Sequence, residues 1–222
     1  MASALVLLSG GQDSTTCLFW ARKHFDHVEA VGFDYGQRHR VELDQAEKIA
    51  AVAGVPFTVL DLSGLLSGSA LTEAGRDTNA PHDLAPHLPA SFVPARNALF
   101  LTAAAAFAFP REIRDLVGGM CQTDHSGYPD CRRVFIDAQQ EALSLALDAP
   151  LRIHTPLMDL TKAETWRLAA ELGCLDVVVE MSHTDYHGDR SERHDWGYGR
   201  LDNPASVLRA KGYEEAKAKG WI

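Results

Sequence analysis

The chain has 222 residues, which is room for one domain or for one domain with an appendage. Hydrophobic residues make up 46% and charged residues 23%, so a sizeable core is available and the charge content is that of an ordinary soluble enzyme. The formal net charge of -9 argues against a protein whose main task is gripping a nucleic-acid backbone. No apolar run approaches membrane-spanning length. Residues 1–9 carry no basic stretch ahead of their apolar run, so no signal peptide is expected. The four cysteines, Cys17, Cys121, Cys131 and Cys174, are scattered and form neither a Cys-x-x-Cys pair nor a disulfide framework. A cytoplasmic protein with reduced thiols is the expectation.

The first predicted strand is the apolar run Ala4 to Leu8. It breaks into Ser9-Gly10-Gly11-Gln12-Asp13-Ser14, after which Cys17, Leu18, Trp20 and Ala21 recur at helical spacing. Two glycines let the backbone turn sharply and bring N–H groups close to a ligand. The helix start adds unpaired N–H groups and the positive end of its dipole. The expectation is a cup for phosphate or pyrophosphate. The Walker pattern is absent, and no lysine sits in the loop. Ser-Gly-Gly-x-Asp-Ser instead resembles the pyrophosphate loop of ATP pyrophosphatases, which split ATP into AMP and pyrophosphate.

A second strand spans 28–34 and ends in Asp34-Tyr35-Gly36-Gln37-Arg38-His39. A helix over 41–53 presents Leu43, Ala46, Ile49 and Ala50 on one face and stops at Gly54. A third strand covers 57–60. The alternation predicts a doubly wound, mainly parallel five-stranded α/β sheet with helices on both faces. The loops after the first two strands should flank one crevice at the strands' carboxyl ends. Residues 62–90 are rich in turn formers and lack periodicity, which suggests a lid. Arg96 and Asn97 open an alanine-rich buried helix over 98–109. A fourth strand at 114–118 releases into the polar loop 123–132, followed by a helix at 133–147 and a fifth strand at 152–155. Thr161 and Glu164 form a capping-box pattern for a helix running to about residue 172. Residues 176–203 read as irregular, and Pro204 starts a last helix.

Along nearly its whole length the chain resembles the 7-cyano-7-deazaguanine synthase family. The resemblance is carried by residues 9–14, Phe33-Asp-Tyr-Gly-Gln-Arg-His39, Phe92-Val-Pro-Ala-Arg-Asn97, Thr123-Asp-His-Ser-Gly-Tyr-Pro-Asp-Cys-Arg132, Thr155-Pro-Leu-Met158 and Lys162-Ala-Glu-Thr-Trp166. It implies conversion of 7-carboxy-7-deazaguanine into the nitrile with ATP, Mg²⁺ and ammonia, for the queuosine pathway. It also implies a pyrophosphatase domain over 1–175, a C-terminal segment over 176–222, and a homodimer. On this reading Leu8, Ser9, Gly10, Gly11, Gln12, Asp13 and Ser14 hold ATP and its pyrophosphate. Asp34, Tyr35, Gln37 and Arg38 lie on the adenosine side. Asp13, Ser14, Arg96 and Lys162 carry the catalysis. Arg96, Asn97, Asp124, Tyr128 and Asp130 meet the deazaguanine, with Asp130 alternatively capping a helix.

The resemblance breaks in the C-terminal segment. The family's pattern is a cysteine in His-Thr-Cys-Tyr and three in Cys-Gly-x-Cys-Pro-x-Cys, together binding a structural zinc. Here those positions are Asp185, Arg200, Asn203 and Ser206, while the flanks His183-Thr184, Tyr186 and Leu208-Arg209 are intact. Arginine is not a zinc ligand, so the family's zinc is expected to be absent. A substitute site from His183, Asp185, His187 and His194 is an alternative. Ala95 stands where the family has glycine, which is expected to narrow the pocket. Three functions follow: a zinc-free synthase, a paralogue that couples the activated carboxylate to another amine (a small molecule or a protein N-terminus) and stops at the amide, or a non-catalytic nucleotide-binding subunit.

Overall fold

A computed structural model of the chain describes residues 2–37, 41–66, 69, 71–72, 80–83, 85–123, 127–184 and 189–222. β1 (Ser3–Leu7) feeds through the glycine loop into α1 (Gln12–His24), then β2 (His27–Asp34), α2 (Val41–Ala53) and β3 (Phe57–Asp61). A small hairpin, β4 (Pro81–His82) with β5 (Ala85–Pro89), precedes α3 (Arg96–Ala108) and β6 (Asp115–Val117). α4 (Arg133–Ala146), β7 (Arg152–His154), α5 (Lys162–Glu171) and α6 (Leu175–Met181) follow. A second hairpin, β8 (Arg193–His194) with β9 (Gly197–Tyr198), leads into α7 (Pro204–Ala218).

Five strands form the central sheet in the order β3-β2-β1-β6-β7, with every pairing parallel. This is the predicted doubly wound architecture. In the central strand β1, Ala4, Leu5 and Val6 are all fully buried, as a parallel strand covered on both faces requires. Side chains alternate between two cores. Ala4 and Val6 face Cys17 and Leu18 of α1 and Ile49 of α2. Leu5 faces Leu101 and Ala105 of α3 and Ile136 of α4. Each fully buried Leu or Ile stabilises the fold by about 1.5–3 kcal/mol. The alanines of α3 let that helix lie close on the sheet. The strand order reverses beside β1, so the loops after β1 and β6 open onto one crevice. A Cβ on Gly119, after β6, would stand 3.1 Å from the Ser14 nitrogen, so the two loops touch.

A third core joins α5, α6 and α7 through Trp166, Val178, Trp196 and Ala216. The stretch expected to be irregular from 176 onward therefore begins with a helix. Its Val177-Val178-Val179 run has low helix propensity, and the burial of Val178 and Val179 against this core overrides it. The capping box forms as predicted: Glu164 N–H donates to Thr161 Oγ1 (3.3 Å), and Thr161 N–H donates to Glu164 Oε2 (2.8 Å). Among the described residues no helix is long and apolar enough to cross a membrane.

Candidate nucleotide-binding and active site

The glycine loop is built by its own hydroxyls. Ser9 N–H donates to Ser14 Oγ at 3.2 Å, and the Ser9 and Ser14 hydroxyls are 3.1 Å apart. Thr15 folds back, with Oγ1 donating to the Gly11 carbonyl at 2.7 Å. Gly11 is the N-cap of α1 and offers no side-chain acceptor to the first turn. The first N–H groups of the helix therefore remain available to an anion, with the dipole favouring negative charge there. Gly10 adopts φ +84, and a Cβ on it would lie 2.2 Å from the Glu42 carbonyl oxygen of α2. Only glycine fits that crossing.

The loop opens into a cavity of about 1030 Å³ lined by Leu8, Ser9, Gly11, Gln12, Asp13 and Ser14. Lys162, first residue of α5, also lines this cavity. Its ammonium lies 2.9 and 3.1 Å from the two carboxylate oxygens of Asp13. The two residues are 149 positions apart in sequence, and the fold brings them together at the mouth of the loop. A Cβ on Gly212 of α7 would stand 2.7 Å from Lys162 Cγ. The last helix thus clamps the lysine's stem.

Tyr35, Gln37, Arg96, Asn97 and Tyr128 also line the cavity. Burial alone would lower the Arg96 guanidinium; Tyr35, Tyr128 and Asp130 outweigh it and hold the group above its ordinary range. Burial pushes the nearby Glu42 carboxyl up to about 7, with Arg96 pulling it part of the way back. Gln37 spends its side chain locally, accepting from Tyr35 N–H (2.9 Å) and donating to the Phe33 carbonyl (3.1 Å). Asp34 is not among the lining residues; its carboxylate accepts from Gly36 N–H at 3.2 Å and shapes the turn. Asp130 is likewise not among the lining residues. It accepts from the Asn97 backbone N–H at 2.9 Å and so caps α3, whose own N-cap residue, Ala95, has no acceptor. Asn97 Nδ2 donates to the Asp130 carbonyl (3.2 Å) and fixes the same turn. Arg38 and Asp124 lie outside the described residues.

Sequence reasoning missed Ser91, whose hydroxyl is 2.8 Å from the Tyr128 hydroxyl. Phe92 packs on the same ring at a centroid distance of 5.7 Å. It also missed Thr184 and Arg209, which sit at the cavity wall; a lone threonine and a helical arginine carry no local signal. Leu71, His87 and Pro89, from the stretch 62–90, also line the cavity; much of the remainder of that stretch lies outside the described residues. Ala95 does not narrow the cavity, since it is not on its wall. It is held instead at φ 57, ψ 21, a left-handed conformation that costs an L-residue about 1–2 kcal/mol. Ala95→Gly is expected to raise thermal stability by up to about 1 kcal/mol once the extra freedom of the unfolded chain is deducted. A thermal melt measures it.

At two of the positions where the resemblance leads one to expect cysteine, Arg200 and Asn203, the structure shows other contacts. Arg200 Nε lies 2.7 Å from Asp189 Oδ2 and 3.5 Å from Glu192 Oε1. Asn203 Oδ1 accepts from Ser206 N–H at 3.0 Å as the N-cap of α7. Asp185 and His187 lie outside the described residues. His194 stacks on Trp196 at 4.7 Å. Among the described residues no cluster of three or more His, Cys, Asp or Glu side chains is placed to hold a metal ion.

A glycine cup at the switch point of a parallel sheet, facing a lysine–aspartate pair, defines a nucleotide-binding α/β protein of the ATP pyrophosphatase type. The fold resembles a solved 4-thiouridine synthetase–RNA complex with bound ATP, with a TM-score of 0.51 at 15% identity, covering 96% of this chain and 53% of that one. The family described as "Queuosine biosynthesis protein QueC" matches residues 3–217, and the chain belongs to it. The 7-cyano-7-deazaguanine synthase of Wolinella succinogenes is 51% identical over 97% of this chain and 94% of its own. The enzyme of Bordetella pertussis bearing that name is 50% identical over 95% of this chain and 91% of its own.

Proposed function

We propose that this protein is an ATP-dependent ligase that turns 7-carboxy-7-deazaguanine into 7-cyano-7-deazaguanine, with MgATP and ammonia as co-substrates. The observation that carries the reading is the Asp13–Lys162 pair at the mouth of the glycine loop, in one cavity with Arg96 and Tyr128. The names of the relatives support it.

A carboxylate is a poor electrophile because its leaving group would be oxide. Its oxygen attacks the α-phosphorus of ATP, and pyrophosphate leaves. The loop N–H groups and Lys162 stabilise the charge that builds on the departing phosphates. Ammonia adds to the acyl carbon and loses a proton, and AMP leaves with the original carboxylate oxygen. The amide oxygen then attacks a second ATP. Loss of the two N–H protons and of a second AMP leaves the nitrile. Arg96 neutralises the substrate carboxylate. The Tyr128 ring, steadied by Ser91, offers a face for the purine-like base. From the stretch 62–90, Leu71, His87 and Pro89 cover part of the cavity and shield it from water. Mass spectrometry of a reaction with 7-carboxy-7-deazaguanine, MgATP and ammonium tests this: the nitrile with AMP is expected, and absence of any deazaguanine product would overturn the reading.

The family's structural zinc does not fit this chain. Arg200 is a cation already paired with Asp189, and Asn203 is committed as a helix cap. Hydrogen bonds and an ion pair hold this segment instead. Protein purified without added metal should contain well under one zinc per chain, and a chelator should leave its melting temperature unchanged. Near-stoichiometric zinc, or unfolding on chelation, would contradict the assignment.

A further inference from the structure

Arg209 of α7 is fully buried and has no acidic partner among the described residues. Its Nε and Nη2 both donate to the Trp196 carbonyl, at 3.1 and 2.9 Å, and Nη2 also donates to the Val178 carbonyl at 2.9 Å. Nη1 donates to Ser182 Oγ and Thr184 Oγ1, both at 2.8 Å. All five N–H groups are thus satisfied, and every acceptor is neutral. Burial pulls the guanidinium down to about 9, and the charge of Asp13 draws it part of the way back up. A buried cation without a counter-ion is expensive unless an anion arrives to repay it.

The two hydroxyls differ in what they do with their own protons. Ser182 donates to the Val178 carbonyl at 2.5 Å, so its proton is spent inside the protein. Thr184 accepts from Arg209 and lines the cavity that also holds Ser9, Asp13 and Lys162. A hydroxyl that accepts from a cation becomes a stronger donor. The preceding residue is tied to the loop itself, with His183 N–H donating to the Gly10 carbonyl at 2.9 Å. From these placements we infer that the Thr184 hydroxyl is a further ligand for the pyrophosphate portion of ATP, with Arg209 as the positioning residue that holds and polarises it from behind. The inference rests on the nucleotide reading of the glycine loop.

The test is calorimetric binding of inorganic pyrophosphate, ATP and AMP to the wild type, Thr184→Val and Thr184→Ser. Loss of a hydrogen bond to a charged acceptor predicts a fall of roughly 10- to 100-fold in affinity for pyrophosphate and ATP in Thr184→Val. AMP affinity should stay unchanged, and Thr184→Ser should bind as the wild type does. A merely structural role would weaken AMP along with the other two. Thr184→Ala answers the same question if Thr184→Val loses native structure. Wild-type affinity for pyrophosphate in a folded Thr184 variant lacking the hydroxyl overturns the inference while leaving the loop reading intact. A wild type that binds none of the three ligands overturns both.

Discussion

Lys162→Met is expected to cut the rate of AMP formation about 10²- to 10³-fold, the usual cost of removing one preorganised donor from a site of developing charge. The lysine is fixed before any nucleotide arrives. The capping box sets the start of α5, the close approach of Gly212 confines the stem, and Asp13 holds the ammonium at 2.9 Å. Only 12% of the Lys162 side chain is exposed, against 26% for Asp13, so the pair is partly shielded from water. The variant leaves Asp13 without this partner, but that carboxylate still reaches solvent, so the fold should survive. Circular dichroism checks the fold and a discontinuous assay of AMP checks the rate. Undiminished AMP formation in a folded Lys162→Met variant would remove the lysine from the site.

Gly10→Ala should be the most destabilising single change in the loop. The added Cβ would sit 2.2 Å from the Glu42 carbonyl oxygen and 2.9 Å from the Ala46 nitrogen, both backbone atoms that cannot rotate aside. Strain at a left-handed φ contributes about 1–3 kcal/mol, and overpacking another 1–3 kcal/mol. For a chain of this size that corresponds to a loss of about 10 °C in melting temperature. Gly36 is the matched control: it has φ +81, and a Cβ added there would meet nothing within 4 Å. Gly36→Ala should carry only the strain and lose about half as much, roughly 5 °C. Equal losses for the two variants would show that the crossing of α2 over the loop is not as tight as described.

What the sequence made legible was local. The glycine loop after an apolar run, the Thr161–Glu164 box and the strand–helix alternation each rest on neighbours within a few residues, and each is found. Family motifs extended that reach to Arg96 and Lys162. Contacts between distant segments stayed hidden. The valine run of α6 reads as anything but helix until Trp166 and Trp196 are brought against it. Asp130 reads as a base contact or as a cap for the helix that follows it, yet its carboxylate caps a helix 33 positions upstream through Asn97. Arg209 is an ordinary residue in a polar helix until residues 178, 182, 184 and 196 converge on its guanidinium. Such roles depend on tertiary closure, and no periodicity records them.

The most direct test of the central claim follows the two carboxylate oxygens. With 7-carboxy-7-deazaguanine labelled at both oxygens with ¹⁸O, the expected result is two AMP per nitrile, each carrying a single ¹⁸O, because each oxygen in turn attacks an α-phosphorus and leaves on AMP. One labelled AMP per product, with the second label retained in an amide, would show that the chain stops after the first activation. Unlabelled AMP would contradict activation of the substrate altogether.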